Sequence, residues 1–130
     1  MDNIEFAEVM KGRTKALALR IITLFQNLPK NEEARIIGKQ LLRSSTSVAA
    51  NYRAACRARS NAEYFSKICI VVEESDETLF WIELLIEANI VKENKLSALK
   101  QEILEILSIL SKTKRSIKNK NSKPNNSQTL

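Results

Sequence analysis

Residues 38–57 read GKQLLRSSTSVAANYRAACR, and this stretch decides how the chain folds. At 3.6 residues per turn its side chains sort into three sectors. Leu41, Val48, Ala49, Tyr52, Ala55 and Cys56, with Ile37 just before, make an apolar side. Lys39, Arg43, Arg53 and Arg57, with Arg35 just before, fall within an arc of about 80° on the opposite side. Ser44, Ser45, Thr46, Ser47, Ala49, Ala50, Ala54 and Ala55 are small, and small side chains let a neighbouring helix come close. The segment is an amphipathic helix predicted from Glu32 to about Ala58. Asn31 is its N-cap, and Glu32 and Glu33 sit in the first turn, where the helix dipole favours acids.

The same period extends in both directions. Phe6, Met10, Leu17, Ile21, Leu24, Phe25 and Leu28 form one stripe of a helix predicted over 4–28, with Asp2 and Glu5 placed as a capping box and Pro29 as its stop. Ser60-Asn61-Ala62-Glu63 opens a third helix predicted over 61–88, and Asn89 followed by Ile90 reads as a left-handed C-cap. Tyr64, Ile68, Val71, Val72, Ser75, Leu79, Ile82 and Ile86 give that helix a core stripe. Ile70, Phe80, Trp81, Leu84 and Ala88 give it a second apolar stripe on the far side. Two readings stay open for the second stripe: a central position in the bundle, or a subunit interface through Ile70, Phe80, Trp81 and Leu84. In the fourth helix, predicted over 95–117, Leu96, Leu99, Ile103, Ile106, Leu107, Leu110 and Ile117 form a seam close to a coiled-coil pattern. Residues 118–130 are rich in Asn, Ser and Lys and read as a disordered basic tail. Loops this short join antiparallel neighbours. The expected fold is all-α: an up-down-up-down four-helix bundle over residues 1–117.

The chain has 130 residues, two glycines and no histidine. One domain of that size buries about two-thirds of its unfolded surface. Two glycines leave no phosphate-cradling loop, and the absence of histidine removes Ser-His-Asp and Cys-His pairs and the Glu-x-x-His di-iron bundle. A nucleophile among Ser44, Ser45 and Ser47 has no imidazole base, so the chain reads as non-catalytic, without a cofactor or a metal. Glu73, Glu74, Asp76 and Glu77 point in different directions around one helix, which is poor geometry for a single cation. Acidic residues interrupt the N-terminus, no run is long enough to span a membrane, and Cys56 and Cys69 read as buried, reduced thiols. A cytoplasmic protein is expected.

The net charge of +6 is the sum of unlike blocks: residues 1–33 are neutral, 34–60 carry +6, 61–93 carry −6 and 94–130 carry +6. The cationic arc Arg35, Lys39, Arg43, Arg53 and Arg57 holds no acid. It reads either as a solvated face partly paired with the acids of helix three or as a phosphate-binding stripe. Tyr52 points to the apolar side, so the stripe suits backbone phosphates better than base stacking.

The segments Gly38 to Ser44 and Thr46 to Ser60, with Arg13-Thr14-Lys15, Leu28-Pro29-Lys30, Glu73 to Thr78 and Trp81 to Leu85, form a distinctive order. In it the chain resembles, over residues 4 to 117, the bacterial four-helix-bundle family first recognised in intervening sequences of large-subunit ribosomal RNA genes. It is also similar to the accessory protein of diversity-generating retroelements. The resemblance implies a ring-shaped homopentamer that binds RNA or DNA, or docks a protein partner such as a polymerase or reverse transcriptase. Many relatives carry Glu-Gly after the Asn of the helix-two motif. Asn51 is followed here by Tyr52 and Arg53, so a role of that Glu is not carried over. No catalytic motif is transferred.

Overall fold

The structure is a computed structural model that describes residues 1–122. Four helices follow one another: α1 (Asn3–Gln26), α2 (Glu32–Cys56), α3 (Asn61–Glu87) and α4 (Glu93–Ser122). The first three helix starts each have a side-chain cap. Asp2 accepts from the Glu5 N–H at 2.8 Å, Asn31 from Ala34 at 2.9 Å and Ser60 from Glu63 at 3.1 Å. Each such bond satisfies one of the donors that a helix start leaves open. Asn89 takes φ 59°. The N–H of Ile90 then reaches Leu85 O and that of Asn89 reaches Ile86 O, a Schellman closure that turns Ile90 and Val91 onto the core.

The helices form a square in chain order. α2 packs on α1 and α3, α4 packs on α3 and more sparsely on α1, and the backbones of neither diagonal pair come close. The core runs the length of the square through Met10, Leu17, Ile21, Leu41, Val48, Tyr52, Ile68, Val71, Ile82, Leu96, Ile103, Ile106 and Leu110. Leu85 lies between the two apolar stripes read on helix three, and it is fully buried as well.

Two expectations need correction. The sequence reading ends helix four at Ile117 and opens a disordered tail at Lys118, but α4 continues to Ser122. The apolar seam ends there because burial ends. No Gly or Pro breaks the helix before Pro124, and Lys118 and Lys120 suit the negative end of the helix dipole. The rest of the expected tail, 123–130, lies outside the described residues. Cys56 and Cys69 are free thiols and only half-buried.

A candidate nucleic-acid interface on α2

The close approach of α2 to α3 comes from small side chains. Ser44 and Thr78 are fully buried between the two helices, with Oγ and Oγ1 2.9 Å apart and hydrogen-bonded. Each hydroxyl also reaches a carbonyl of its own helix, Leu41 O at 3.2 Å and Glu74 O at 2.8 Å. Gly38 does the same service toward α1: a Cβ there would stand 2.6 Å from Leu28 Cδ1. The core side of α2 is thereby fixed, and its opposite side is fixed as outward.

Arg35, Lys39, Arg43, Arg53 and Arg57 all lie exposed on that outer side. They are not equivalent. Arg43 swings to α3, where NH1 meets Glu74 Oε2 at 2.9 Å and NH2 meets Glu77 Oε2. Its Nε also reaches Gln40 Oε1 at 3.3 Å. The hydrogen bond to Glu77 is the main cause of an Arg43 pKa above its ordinary value. Glu77 is drawn below the usual carboxylate range, first by the Trp81 indole N–H at 2.9 Å and then by Arg43. Arg43 thus belongs to the α2–α3 contact.

Among the described residues, Arg35, Lys39, Arg53 and Arg57 make no ion pair. They form two pairs of cations, Arg35 with Lys39 and Arg53 with Arg57, about 27 Å apart along the helix at 1.5 Å per residue. Arg43 with its two carboxylate partners, then Thr46 and Ala50, lie between them. Arg35 also lines a half-open cleft of about 570 Å³ with Lys30, Pro29 and Ile36 at the α1–α2 turn.

The second stripe of α3 is divided as well. Trp81 is half-buried, packs against the core and is held by Glu77. Ile70 and Leu84 are half-buried. Phe80 stands out, 51% exposed, with its ring edge-on to Trp81 at 4.9 Å between centroids. Glu73, Asp76 and Glu87 are exposed on the same face of α3.

A cavity of about 710 Å³ lies at the end of the bundle where α1 begins and α4 ends. Phe6, Tyr52, Tyr64 and Ile117 wall it, and Lys112 and Lys120 stand at it. Burial raises the Tyr52, Tyr64 and Cys56 pKa values and keeps all three neutral. Among the described residues no three acidic or cysteine side chains gather as a metal site, and no helix is long and apolar enough to cross a membrane.

A short antiparallel four-helix bundle with one cationic helix face is a surface-bearing protein class in which the outside of the helices carries the distinguishing chemistry. Within that class the chain belongs to the 23S rRNA-intervening sequence protein family, whose model matches residues 8–112. It is similar to a solved protein of unknown function from the S23 ribosomal protein family of Bacteroides thetaiotaomicron. The two share 31% identity over 84% of this chain and 97% of that one, with a TM-score of 0.78. No curated protein matches the chain.

The outer face of α1 went unread in the sequence. Val9, Gly12, Ala16, Leu19 and Ile22 are all exposed on it. The available signal was the surplus of apolar residues outside the Met10–Ile21 stripe, which a one-sided helix does not need.

Proposed function

We propose that the protein is an oligomeric, non-catalytic scaffold that binds the phosphate backbone of structured RNA through the outer face of α2. The observation that carries this reading is the set Arg35, Lys39, Arg53 and Arg57: exposed, on one face, and unpaired within the described chain. Cations spaced along a rigid helix meet successive phosphates and release counterions, which gives affinity without base reading. A ring of copies, such as a homopentamer, multiplies weak contacts by avidity. Arg43 is a junction between helices in this reading and contributes little to binding.

The test compares Arg35→Ala/Lys39→Ala, Arg53→Ala/Arg57→Ala and Arg43→Ala for affinity to a structured RNA. Both double variants should bind more weakly and Arg43→Ala nearly as wild type. Equal affinity in all four proteins contradicts the reading. The second reading, docking of an acidic protein partner such as a polymerase, rests on the same cations. A partner that co-purifies after nuclease treatment and is lost in the double variants favours it.

A further inference from the structure

We propose that the cavity at the end of the bundle where α1 begins and α4 ends binds a single nucleotide, with the base inside and the phosphate at the mouth. The nucleotide is either free or the unpaired terminal residue of an RNA. The site's own residues carry the proposal; its RNA source alone rests on the proposed function.

The first observation is shape. The cavity measures about 710 Å³, within the range of small-ligand sites. All four helices meet at it: the starts of α1 and α3 and the C-terminal ends of α2 and α4. The second is what walls it. Phe6, Tyr52 and Tyr64 bring three rings to it, both tyrosines of the chain among them. Tyr52 is buried, whereas Phe6 and Tyr64 remain partly open. A partly open ring in a cavity is a stacking surface for a flat aromatic group. The Tyr64 hydroxyl and the Asn61 side chain have no hydrogen-bond partner among the described residues, so both are free to meet the polar edge of a base. An acyl chain would set these groups against hydrocarbon.

The third is charge. Lys112, Ser116 and Lys120 follow at i, i+4 and i+8 on one face of α4. The two lysines stand about 12 Å apart along the axis at 1.5 Å per residue, and their long side chains can close on one anion above the Ser116 hydroxyl. Both are exposed and make no ion pair among the described residues. No acid lines the cavity, and α4 carries none after Glu105. Of the acids at this end, Asp2 caps α1, Glu8 is bridged to Lys11 at 2.7 Å and Glu63 to Arg59 at 3.7 Å. Glu5 is exposed and unpaired but outside the lining. Helix ends of both signs meet here, so their dipoles offset and the lysines set the sign.

The fourth is the contrast with α2. Its outer cations lie on a face without aromatic side chains, so they meet phosphates and leave bases unread. The cavity joins rings to cations in one place, the combination that holds an unpaired nucleotide. Arg57 follows Cys56, which lines the cavity, so an RNA strand lying along α2 can put its end there.

The test measures binding of AMP, adenosine and inorganic phosphate by calorimetry, with helix content followed by circular dichroism. AMP should bind at least about tenfold more tightly than either adenosine or phosphate. Lys112→Ala/Lys120→Ala should erase the advantage of AMP over adenosine, and Tyr64→Leu should weaken both. Lys112 and Lys120 are exposed, so the double variant keeps its fold even if Tyr64→Leu loses helix. Changing Arg35, Lys39, Arg53 and Arg57 to Ala should leave AMP binding at wild-type strength, so this site and the α2 stripe fail separately. A hairpin RNA with one unpaired 3′ nucleotide, bound more tightly than its blunt form only when Lys112 and Lys120 are present, makes the RNA end the source. Equal binding of the two hairpins, with AMP still bound, makes the free nucleotide the ligand. No AMP binding tighter than about 1 mM, phosphate bound as tightly as AMP, or AMP binding unchanged in the double variant would overturn the proposal.

Discussion

The α2–α3 seam and the α1–α4 seam are built on different principles. Where α2 meets α3, Ser44 and Thr78 are buried and the backbones come close. Where α1 meets α4 the contact is sparser, and a fork spans the gap: Arg13 Nε to Glu102 Oε2 at 3.0 Å, and NH2 to Glu102 Oε1 at 2.7 Å and Glu105 Oε1 at 3.0 Å. Small hydroxyl side chains hold one side by proximity, and a long guanidinium holds the other by reach. The close side positions α2 tightly enough to make its outer face a fixed array. The open side leaves room for the cavity at the α1–α4 end.

The contrast breaks first at the close seam. Ser44→Leu adds a branched side chain to a position with no free volume and removes the bond to Thr78. It should lower unfolding stability by about 1–3 kcal/mol in a urea titration. Thr113→Leu, an enlargement beside the open cavity, should change it by less than about 1 kcal/mol. Equal losses at the two sites would erase the distinction.

At the open seam Arg13→Ala should cost about 1 kcal/mol, the scale of a partly buried bidentate pair. The largest cause of the raised Arg13 pKa is the bond to Glu102. Once Arg13 is Ala, Glu102→Gln should therefore cost little more, and an independent effect of each change would show that the fork is not the link.

The smallest effect expected is at Ser75. Its Oγ is buried with no hydrogen-bond partner among the described residues, unlike the hydroxyls of the buried Ser44 and Thr78. Ser75→Ala removes an unsatisfied group at little cost in volume, so stability should stay level or rise by up to about 1 kcal/mol in the same titration. A loss comparable to Ser44→Ala would mean that Ser75 is part of the hydroxyl contact.

Much of this architecture was legible in the sequence because local chemistry carries it. Asp2, Asn31, Ser60 and Asn89 mark helix ends through bonds three to five residues away, and the apolar period needs only the chain itself. The run Ser44 to Ala50 declared a close approach before its partner helix was known. The capture of Arg43 was less legible. It depends on the rotation of α3 that brings Glu74 and Glu77 to it, and helical angle alone groups Arg43 with the other four cations. The face of α1 was missed for a related reason. Leu19 and Ile22 look like the edge of a core stripe until the square of helices shows which side has no neighbour. The end of α4 was misplaced because loss of hydrophobicity was read as loss of helix.

The central claim is that four cations on α2, and not five, meet the RNA backbone. The direct measurement is RNA affinity against salt for wild type, for the variant with Arg35, Lys39, Arg53 and Arg57 all changed to Ala, and for Arg43→Ala. At about 0.7–0.9 per phosphate contact, the fourfold variant should flatten the log–log slope by about 3 per chain engaged, with Arg43→Ala close to wild type. An unchanged slope in the fourfold variant, or a loss in Arg43→Ala as large as in the others, would contradict the account.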